Sequence, residues 1–282
     1  MRIKKAVITA AGRNQNRIPL QTLVDRDGKQ KSALQIIIEE VTSSGIEELC
    51  VVISPGGKRA YSEAAGDWAE QITFIEQPTP LGYGHALWCS REFVQGAPFL
   101  HLVSDHLHLS HEARRCAHQL VEVAQEEECS VSAVQATRET LLPYYGVIGG
   151  KRVPNQPRLY AVETVREKPT PTEAEQHLMV PGLRAGHYLC FFGMHVFTPA
   201  VLELLEKSVS EAAPDQSVQL SPSLARLASQ ERYRALEIAG QRYNIGVKFG
   251  LLNAQLALGL SGSDREEVLA QLVEVLAQRP QA

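Results

Sequence analysis

Short apolar runs alternate with amphipathic stretches through the first half of the chain. Residues 3–10 (IKKAVITA), 47–53 (EELCVVI), 71–76 (QITFIE), 97–104 (APFLHLVS) and 129–137 (CSVSAVQAT) are β-branched or apolar with turn residues at an edge, so they read as strands. Helical patterns fall between them at 31–44, with Gly45 as a C-cap, and at 57–68, 84–93 and 110–127. Strands alternating with helices predict an α/β fold with a parallel sheet covered on both faces and right-handed connections. The second half changes character. LLPYYGVIGG and PRLYAVETVREKP read as two strands turned near Pro154 and Asn155, and residues 187–198 (HYLCFFGMHVFT) as a long strand. Helices are predicted at 199–208 and 217–229, a strand at 232–238, and helices at 246–260 and 263–278, broken by Ser261 and Gly262 with Ser263 as an N-cap. There is no internal repeat, low-complexity tract or linker. The simplest organisation is one mixed-sheet domain over residues 1–262, followed by a C-terminal helix in 263–282.

Composition narrows the function. The 282 residues are 44% hydrophobic and 21% charged, as for a globule with a substantial core, and the net charge is −4 without a basic patch, which argues against a nucleic-acid surface. No apolar run approaches the ~18 residues of a membrane span. The N-terminal MRIKKAVITAAG has a basic start and an apolar stretch, but it is short and lacks a convincing cleavage site, so it reads as a first strand. Five cysteines without CxxC spacing imply reduced thiols in a cytoplasm.

Open sheets of this kind bind ligands at the carboxyl ends of their strands. The loops after Ala11, Glu76 and Ser104 are therefore where chemistry is expected. The first, in ITAAGRNQNRIP, runs from a strand into Gly12 as a phosphate loop does, yet it carries Arg13, Asn14, Gln15 and Asn16 where glycines would let a phosphate approach backbone N–H groups. Four histidines lie close together, His101, His106, His108 and His111. Alternation puts His106 and His108 on one face of an extended chain, but no CxxC or HExxH spacing accompanies them and no metal cluster is expected.

The loop at 76–93, EQPTPLGYGHALWCSREF, carries a specific resemblance. With SSGIEELCVVISPGGKRA (43–60), VREKPTP (165–171), FFGMHVFTP (191–199), SVQLSPSL (217–224) and QRYNIGVKFGLLNAQLALGL (241–260), it resembles the bacterial UTP–glucose-1-phosphate uridylyltransferases, collinearly from about residue 3 to 260. The resemblance implies a Rossmann-like nucleotidyltransferase fold and an in-line transfer. A sugar-phosphate oxygen attacks the α-phosphorus of UTP and pyrophosphate leaves, a reaction that needs positioning and charge neutralisation. It implies nucleotide contacts at Ala11, Gly12, Gln77 and Gly82, where the Gln77 amide could donate and accept along a uracil edge. It implies sugar contacts at Gly146, Glu167 and Lys168. Asp105 and Asn244 become ligands of Mg2+, and Lys248 a phosphate-facing catalytic cation. It also implies a homo-oligomer. The tail stripe Val268, Leu269, Leu272, Val273, Val275 and Leu276 could serve a second subunit or the chain's own core.

Each of these residues has a plainer reading as well. Asp105 could cap a turn, Gln77 and Gly82 could be ordinary loop chemistry, Glu167 and Lys168 a solvated strand end, and Gly146 a turn or bulge.

The sequence also departs from the family pattern, AAGxGTRxxP followed by PKE. The second glycine, threonine and arginine fall on Asn14, Gln15 and Asn16; Arg17 comes one position late, and Leu20 stands where the PK lysine is expected. Asn244 stands where the family has a metal-binding aspartate. Three alternatives stay open at this point. One is an active, divergent nucleotidyltransferase in which Arg13, Arg17, Lys29 or Lys31 replaces the lost cations. Another is a catalytically silent relative that binds UTP or a sugar nucleotide. The last is a transferase for another sugar phosphate or nucleotide.

Overall fold

The computed structural model describes residues 1–12 and 16–278. Its strands are β1 (Lys5–Thr9), β2 (Thr22–Val24), β3 (Gln30–Ser32), β4 (Glu48–Ile53), β5 (Ile72–Glu76), β6 (Phe99–Val103), β7 (His106–Ser110), β8 (Ser130–Arg138), β9 (Gly146–Arg152), β10 (Leu159–Glu167), β11 (His187–Phe197), β12 (Tyr233–Glu237) and β13 (Gly240–Asn244). Its helices are α1 (Ala33–Thr42), α2 (Lys58–Ala65), α3 (Tyr83–Trp88), α4 (Arg91–Val94), α5 (Cys116–Glu127), α6 (Pro171–His177), α7 (Ala200–Glu211), α8 (Leu220–Gln230), α9 (Gly250–Leu260) and α10 (Arg265–Ala277). A nine-stranded sheet runs β5-β4-β1-β6-β11-β8-β12-β10-β9, with small antiparallel pairs β2–β3 and β7–β13 beside it. The β5-β4-β1-β6 half is parallel, as alternating strands and helices predict. Beyond it β11 runs antiparallel to both β6 and β8, so the sheet is mixed.

The parallel half is buried on both faces, and alternate residues of each strand serve different cores. Ala6 and Ile8 of β1 pack with Val51, Ile53, Leu100 and Leu102, whereas Val7 packs through the other face with Cys50, Val52 and Phe99. This is why these strands read as continuous apolar runs. Ile8 is fully buried, so its truncation to alanine costs about 2–5 kcal/mol. Helix α1 starts where a capping box closes: Ser32 Oγ accepts from the Gln35 amide at 3.0 Å and Gln35 Oε1 from the Ser32 amide at 2.8 Å.

Several predicted elements differ in extent. The helix expected at 84–93 is split into α3 and α4, because Ser90 turns its hydroxyl back onto the Leu87 carbonyl at 2.7 Å. The helix expected at 110–127 begins only at Cys116: Ser110 ends β7, which is paired with β13, and residues 111–115 form bends before the helix. The pairing of β13 with β7, the hairpin β2–β3 and the short α6 were not legible as elements. The expected helix at 57–68 ends at Ala65 and tightens into a 3-10 turn, Gly66–Gln71.

Two of the candidate replacement cations have other surroundings. The Lys31 amine lies 2.8 Å from Asp25, 3.0 Å from Asp27 and 2.9 Å from Glu39, in a largely buried knot that ties the hairpin to α1. Burial would lower its pKa, but the three carboxylates raise it overall. Lys29 is exposed in the hairpin. In the C-terminal helix, Val268 packs on Gly259 of α9, while Val273, Val275 and Leu276 are 64%, 65% and 82% exposed. The apolar stripe is thus not consumed by the chain's own core. No helix among the described residues is long and apolar enough to cross a membrane.

A polar chain runs through the sheet. His101, fully buried in β6, donates from Nδ1 to the Val7 carbonyl (2.9 Å) and accepts at Nε2 from the Tyr83 hydroxyl (2.6 Å). Burial pushes the His101 pKa down to about 4, against the Val7 carbonyl, which favours the charged form. An unfolded histidine titrates near 6.5, so the unfolded chain binds the extra proton first. This contribution to stability is complete above about pH 6.5 and is lost as pH falls toward 4, at up to about 1.4 kcal/mol per pH unit. Urea unfolding should therefore show a lower midpoint at pH 5 than at pH 7. His101→Gln should lessen that dependence without abolishing it, because burial holds His108 and His195 below their ordinary value as well.

Candidate active site

A cavity of about 440 Å³ opens at the carboxyl ends of β1, β5 and β6. Ala11, Gly12, Gln77, Gly82, Asp105, Gly146, Glu167, Lys168 and Asn244 all line it. Residues separated by up to 233 positions in sequence are therefore brought to one wall (Ala11 to Asn244, 244 − 11). Arg17 and Lys248, the two expected catalytic cations, do not line the cavity. Arg17 is exposed at the start of a 3-10 turn, Ile18–Leu20, that Pro19 fixes, and its carbonyl accepts from the Leu20 amide and Gln21 Nε2. Lys248 is exposed in the turn before α9, its amine 5.0 Å from the Phe249 ring centroid. Arg13, Asn14 and Gln15 lie outside the described residues.

One side of the cavity is built by two sequence motifs zipped together. The Val218 amide donates to the Leu81 carbonyl at 2.7 Å, and the Gly84 amide to the Val218 carbonyl at 2.9 Å. The contact is close enough to require glycine. Gly82 has φ +100°, and a Cβ there would sit 2.4 Å from Ser217 Oγ and 2.7 Å from the Val218 carbonyl. Gln77 is buried, and its amide nitrogen lies 3.1 Å from the Gly82 carbonyl and 2.9 Å from His85 Nδ1. Its donors are thus spent within the protein, and Oε1 is what it can offer a ligand, which narrows the expected donate-and-accept role to acceptance. Burial and then Arg91 hold the His85 pKa below its ordinary value, consistent with a neutral ring accepting this bond. Tyr83 lines the same wall; burial first, and the charges of Asp105 and Glu167 after it, raise its hydroxyl well above the ordinary range.

The opposite side is built by β9, β10 and β11. Gly146 pairs with Glu167 across the ladder, and the Lys168 amide donates to the Tyr145 carbonyl at 3.1 Å. Lys168 takes a left-handed conformation, φ +47°, an uncommon geometry for a non-glycine residue. A Cβ on Gly146 would come within 2.6 Å of the Phe191 ring and 3.1 Å of Glu167 Oε2. The Ser221 hydroxyl donates to Glu167 Oε2. Tyr144, Tyr145, Phe191, His195, Gln219 and Ser221 also line the wall and were not anticipated. Ser221 and His195 stand inside motifs that carry the resemblance, SVQLSPSL and FFGMHVFTP, and Tyr145 inside the strand LLPYYGVIGG, but nothing in those patterns pointed to these side chains.

The third side joins Asp105 to β13. The Ile245 amide donates to the Asp105 carbonyl at 2.8 Å, and Asn244 pairs with His106. Asp105 Oδ1 accepts from His106 Nδ1 at 2.7 Å. Burial would raise the Asp105 pKa, but the neighbouring imidazole of His106 and its hydrogen bond bring it below the usual carboxylate range. Magnesium takes oxygen ligands, keeps several waters and is often held by one or two carboxylates together with substrate phosphates. Asn244 Oδ1 already accepts from the Gly246 amide at 2.9 Å, and the described residues hold no cluster of three or more carboxylate, imidazole or thiol groups able to bind a metal. The donor set left is Asp105 Oδ2 with a spare lone pair on Asn244. It fits an ion that arrives with substrate phosphates and is too thin to hold one alone. Among the described residues, Lys168 is the one lysine or arginine on the cavity wall, against the carboxylates of Asp105 and Glu167.

The family model described as nucleotidyl transferase matches residues 21–244. A UTP–glucose-1-phosphate uridylyltransferase of Bacillus subtilis is 27% identical, over 98% of this chain and 96% of its own length. Uridylyltransferase 1 of Streptococcus pyogenes serotype M3, again a UTP–glucose-1-phosphate uridylyltransferase, is 28% identical over 96% of this chain and 94% of its own length. Among solved structures, a UDP-glucose pyrophosphorylase complexed with UDP-glucose superposes with a TM-score of 0.74 at 23% identity, covering 91% of this chain and 98% of the other. A UTP-bound UGPase from Acinetobacter baumannii gives 0.74 at 22% identity, covering 99% of this chain and all (100%) of the other. The likeness to these structures shows the fold: a Rossmann-like nucleotidyltransferase architecture.

Gly82 and Gly45 both have positive φ, but nothing lies within 4 Å of a Cβ on Gly45. Gly45→Ala should cost about 1 kcal/mol in urea unfolding, the backbone penalty alone. Gly82→Ala adds overlap with Ser217 and Val218 and should cost more than about 2 kcal/mol.

Proposed function

The chain belongs to the nucleotidyl transferase family, and on that premise we propose that it is a sugar-phosphate nucleotidyltransferase acting on UTP and glucose 1-phosphate or a close variant. The observation that carries this reading is the convergence of the motif-borne residues of both halves of the chain on one cavity. The cavity has the volume of a small-ligand site, about 440 Å³. The Gly82 turn and Gln77 Oε1 would meet the base, while Gly146 and Glu167 would meet the sugar hydroxyls. Lys168 would meet a phosphate as a point charge. Asp105 Oδ2 would hold a magnesium ion that comes with the phosphates. Neutralising the charge of the leaving pyrophosphate is the chemistry that ion supplies when bound. In the transfer, a phosphate oxygen of the sugar phosphate attacks the α-phosphorus of UTP, the bond to the β-phosphate oxygen breaks, and pyrophosphate departs. The exposed stripe of α10 supports a homo-oligomer. The five free cysteines, four of them buried, suit a cytoplasmic setting.

A second reading is a family member that binds a sugar nucleotide without turning over. It is favoured by the scarcity of cations: of the described wall residues, Lys168 alone brings a lysine or arginine to a substrate whose triphosphate carries several negative charges.

One assay separates the two. Pyrophosphate release from UTP and glucose 1-phosphate in magnesium supports the transferase, and Lys168→Ala should then lower kcat/KM by about 10²- to 10³-fold. Calorimetric binding of UDP-glucose without pyrophosphate release supports the silent reading, and neither binding nor release overturns both.

A further inference from the structure

Histidine aside, three charged residues are buried among those described: Asp25, Glu40 and Arg242, at 7%, 5% and 7% exposure. Asp25 has the Lys31 amine at 2.8 Å, and Glu40 has the Arg115 guanidinium at 3.6 Å. Arg242, in β13, has no such answer. Its Nη1 donates to the Cys190 carbonyl at 3.4 Å and its Nη2 to the Thr137 hydroxyl at 3.0 Å, both neutral acceptors. Its Cζ lies 3.9 Å from the centroid of the Tyr145 ring. Across the ladder it faces His108, which brings no negative charge. No ion pair joins it to a described carboxylate. Arginine cannot shed its proton, so the charge persists, and a buried charge without a counter-charge is costly.

The place of this charge indicates where the counter-charge comes from. Tyr145 lines the cavity and Arg242 does not, so the ring stands between the guanidinium and the cavity. An aromatic face attracts a cation but does not neutralise it. The Tyr145 carbonyl accepts from the Lys168 amide at 3.1 Å, and the next residue, Gly146, pairs with Glu167. Arg242 therefore backs the side of the cavity that carries Glu167 and Lys168. The described wall itself sets Asp105 and Glu167 against one lysine, so an anionic group there meets little positive charge at the surface. A buried charge just behind the wall is screened by salt far less than an exposed one.

We propose that Arg242 is a positioning residue for the phosphate next to the sugar: it holds the Tyr145 ring in the wall and supplies, through that ring, positive potential to the phosphate borne by the glycosyl group. The assignment rests on the sugar-nucleotide reading above. The ligand's phosphate is the counter-charge that the protein omits. Arg242 makes no contact with the ligand, and the phosphate next to the uridine does not depend on it.

The test separates charge from packing. Arg242→Met keeps an unbranched apolar stem and removes the charge; Arg242→Lys keeps the charge and loses the planar fork. Calorimetry on the full chain uses UDP-glucose, which has a phosphate next to the glucose, and UMP, whose single phosphate is next to the uridine. Arg242→Met should weaken UDP-glucose about 10-fold and UMP by less than about 2-fold, and Arg242→Lys should recover most of the loss. As a check that needs no variant to fold, wild-type chain labelled with ¹⁵N-arginine should show an Nε–H signal protected from exchange that moves on adding UDP-glucose and not on adding UMP. Wild-type affinity for UDP-glucose in Arg242→Met, an equal loss for both ligands, an equal loss in both variants, or no protected signal that moves with UDP-glucose overturns the Arg242 assignment alone. No binding of UDP-glucose by the wild-type chain overturns the sugar-nucleotide reading and the assignment with it.

Discussion

The central constraint is the pairing of β1 with β4 on one edge and β6 on the other, all parallel and all ending near one level. Thr9 pairs with Val52 on one side and Val103 on the other. Parallel strands must be joined by crossovers, so successive loops leave the sheet at the same end. Burial on both faces locks the register, because a one-residue slip would exchange the residues of the two cores. The cavity is the consequence. It lies where β1 stops and Ala10, Ala11 and Gly12 continue, with the Ala10 carbonyl held by the Tyr61 hydroxyl at 3.0 Å and the Ala11 carbonyl by Ser54 Oγ at 3.2 Å.

Around that floor, the wall is assembled by pairs of distant segments that bond backbone to backbone. Residues 81–84 clasp Val218, Tyr145 and Gly146 meet Glu167 and Lys168, and Asp105 and His106 meet Asn244 and Ile245. Glycine recurs in these contacts because a Cβ would strike the partner segment, as at Gly82 and Gly146. The motifs that carry the family resemblance supply both halves of the first clasp and one half of each of the other two.

Charge divides the site unevenly. The described wall presents Asp105 and Glu167 with Lys168, and the other candidate cations among the described residues are directed elsewhere: Lys31 into its acidic knot, Arg17, Lys29 and Lys248 to the surface. Much of the remaining polarity is neutral and internally matched, as in the pairing of His101 with Tyr83 and of Gln77 with His85. Such a surface suits positioning a nucleoside and a hexose, whereas pyrophosphate chemistry asks for concentrated positive charge.

The sequence alone determined the α/β class, the parallel first half, the long β11 and the residues of the three loops, because those follow from local periodicity and from motifs that are contiguous in the chain. It also determined the loss of the phosphate-loop glycines and of the acid at Asn244. Only the tertiary structure decided that His106–Ser110 forms the strand β7, since its partner β13 lies some 130 residues away, and that Gln77 spends its donors inside the protein. It alone removed Arg17 and Lys248 from the cavity wall and aligned His106 with Asp105. Side-chain direction and hydrogen-bond partners depend on which segments pair across space, and a linear pattern of polar and apolar residues carries no record of that pairing.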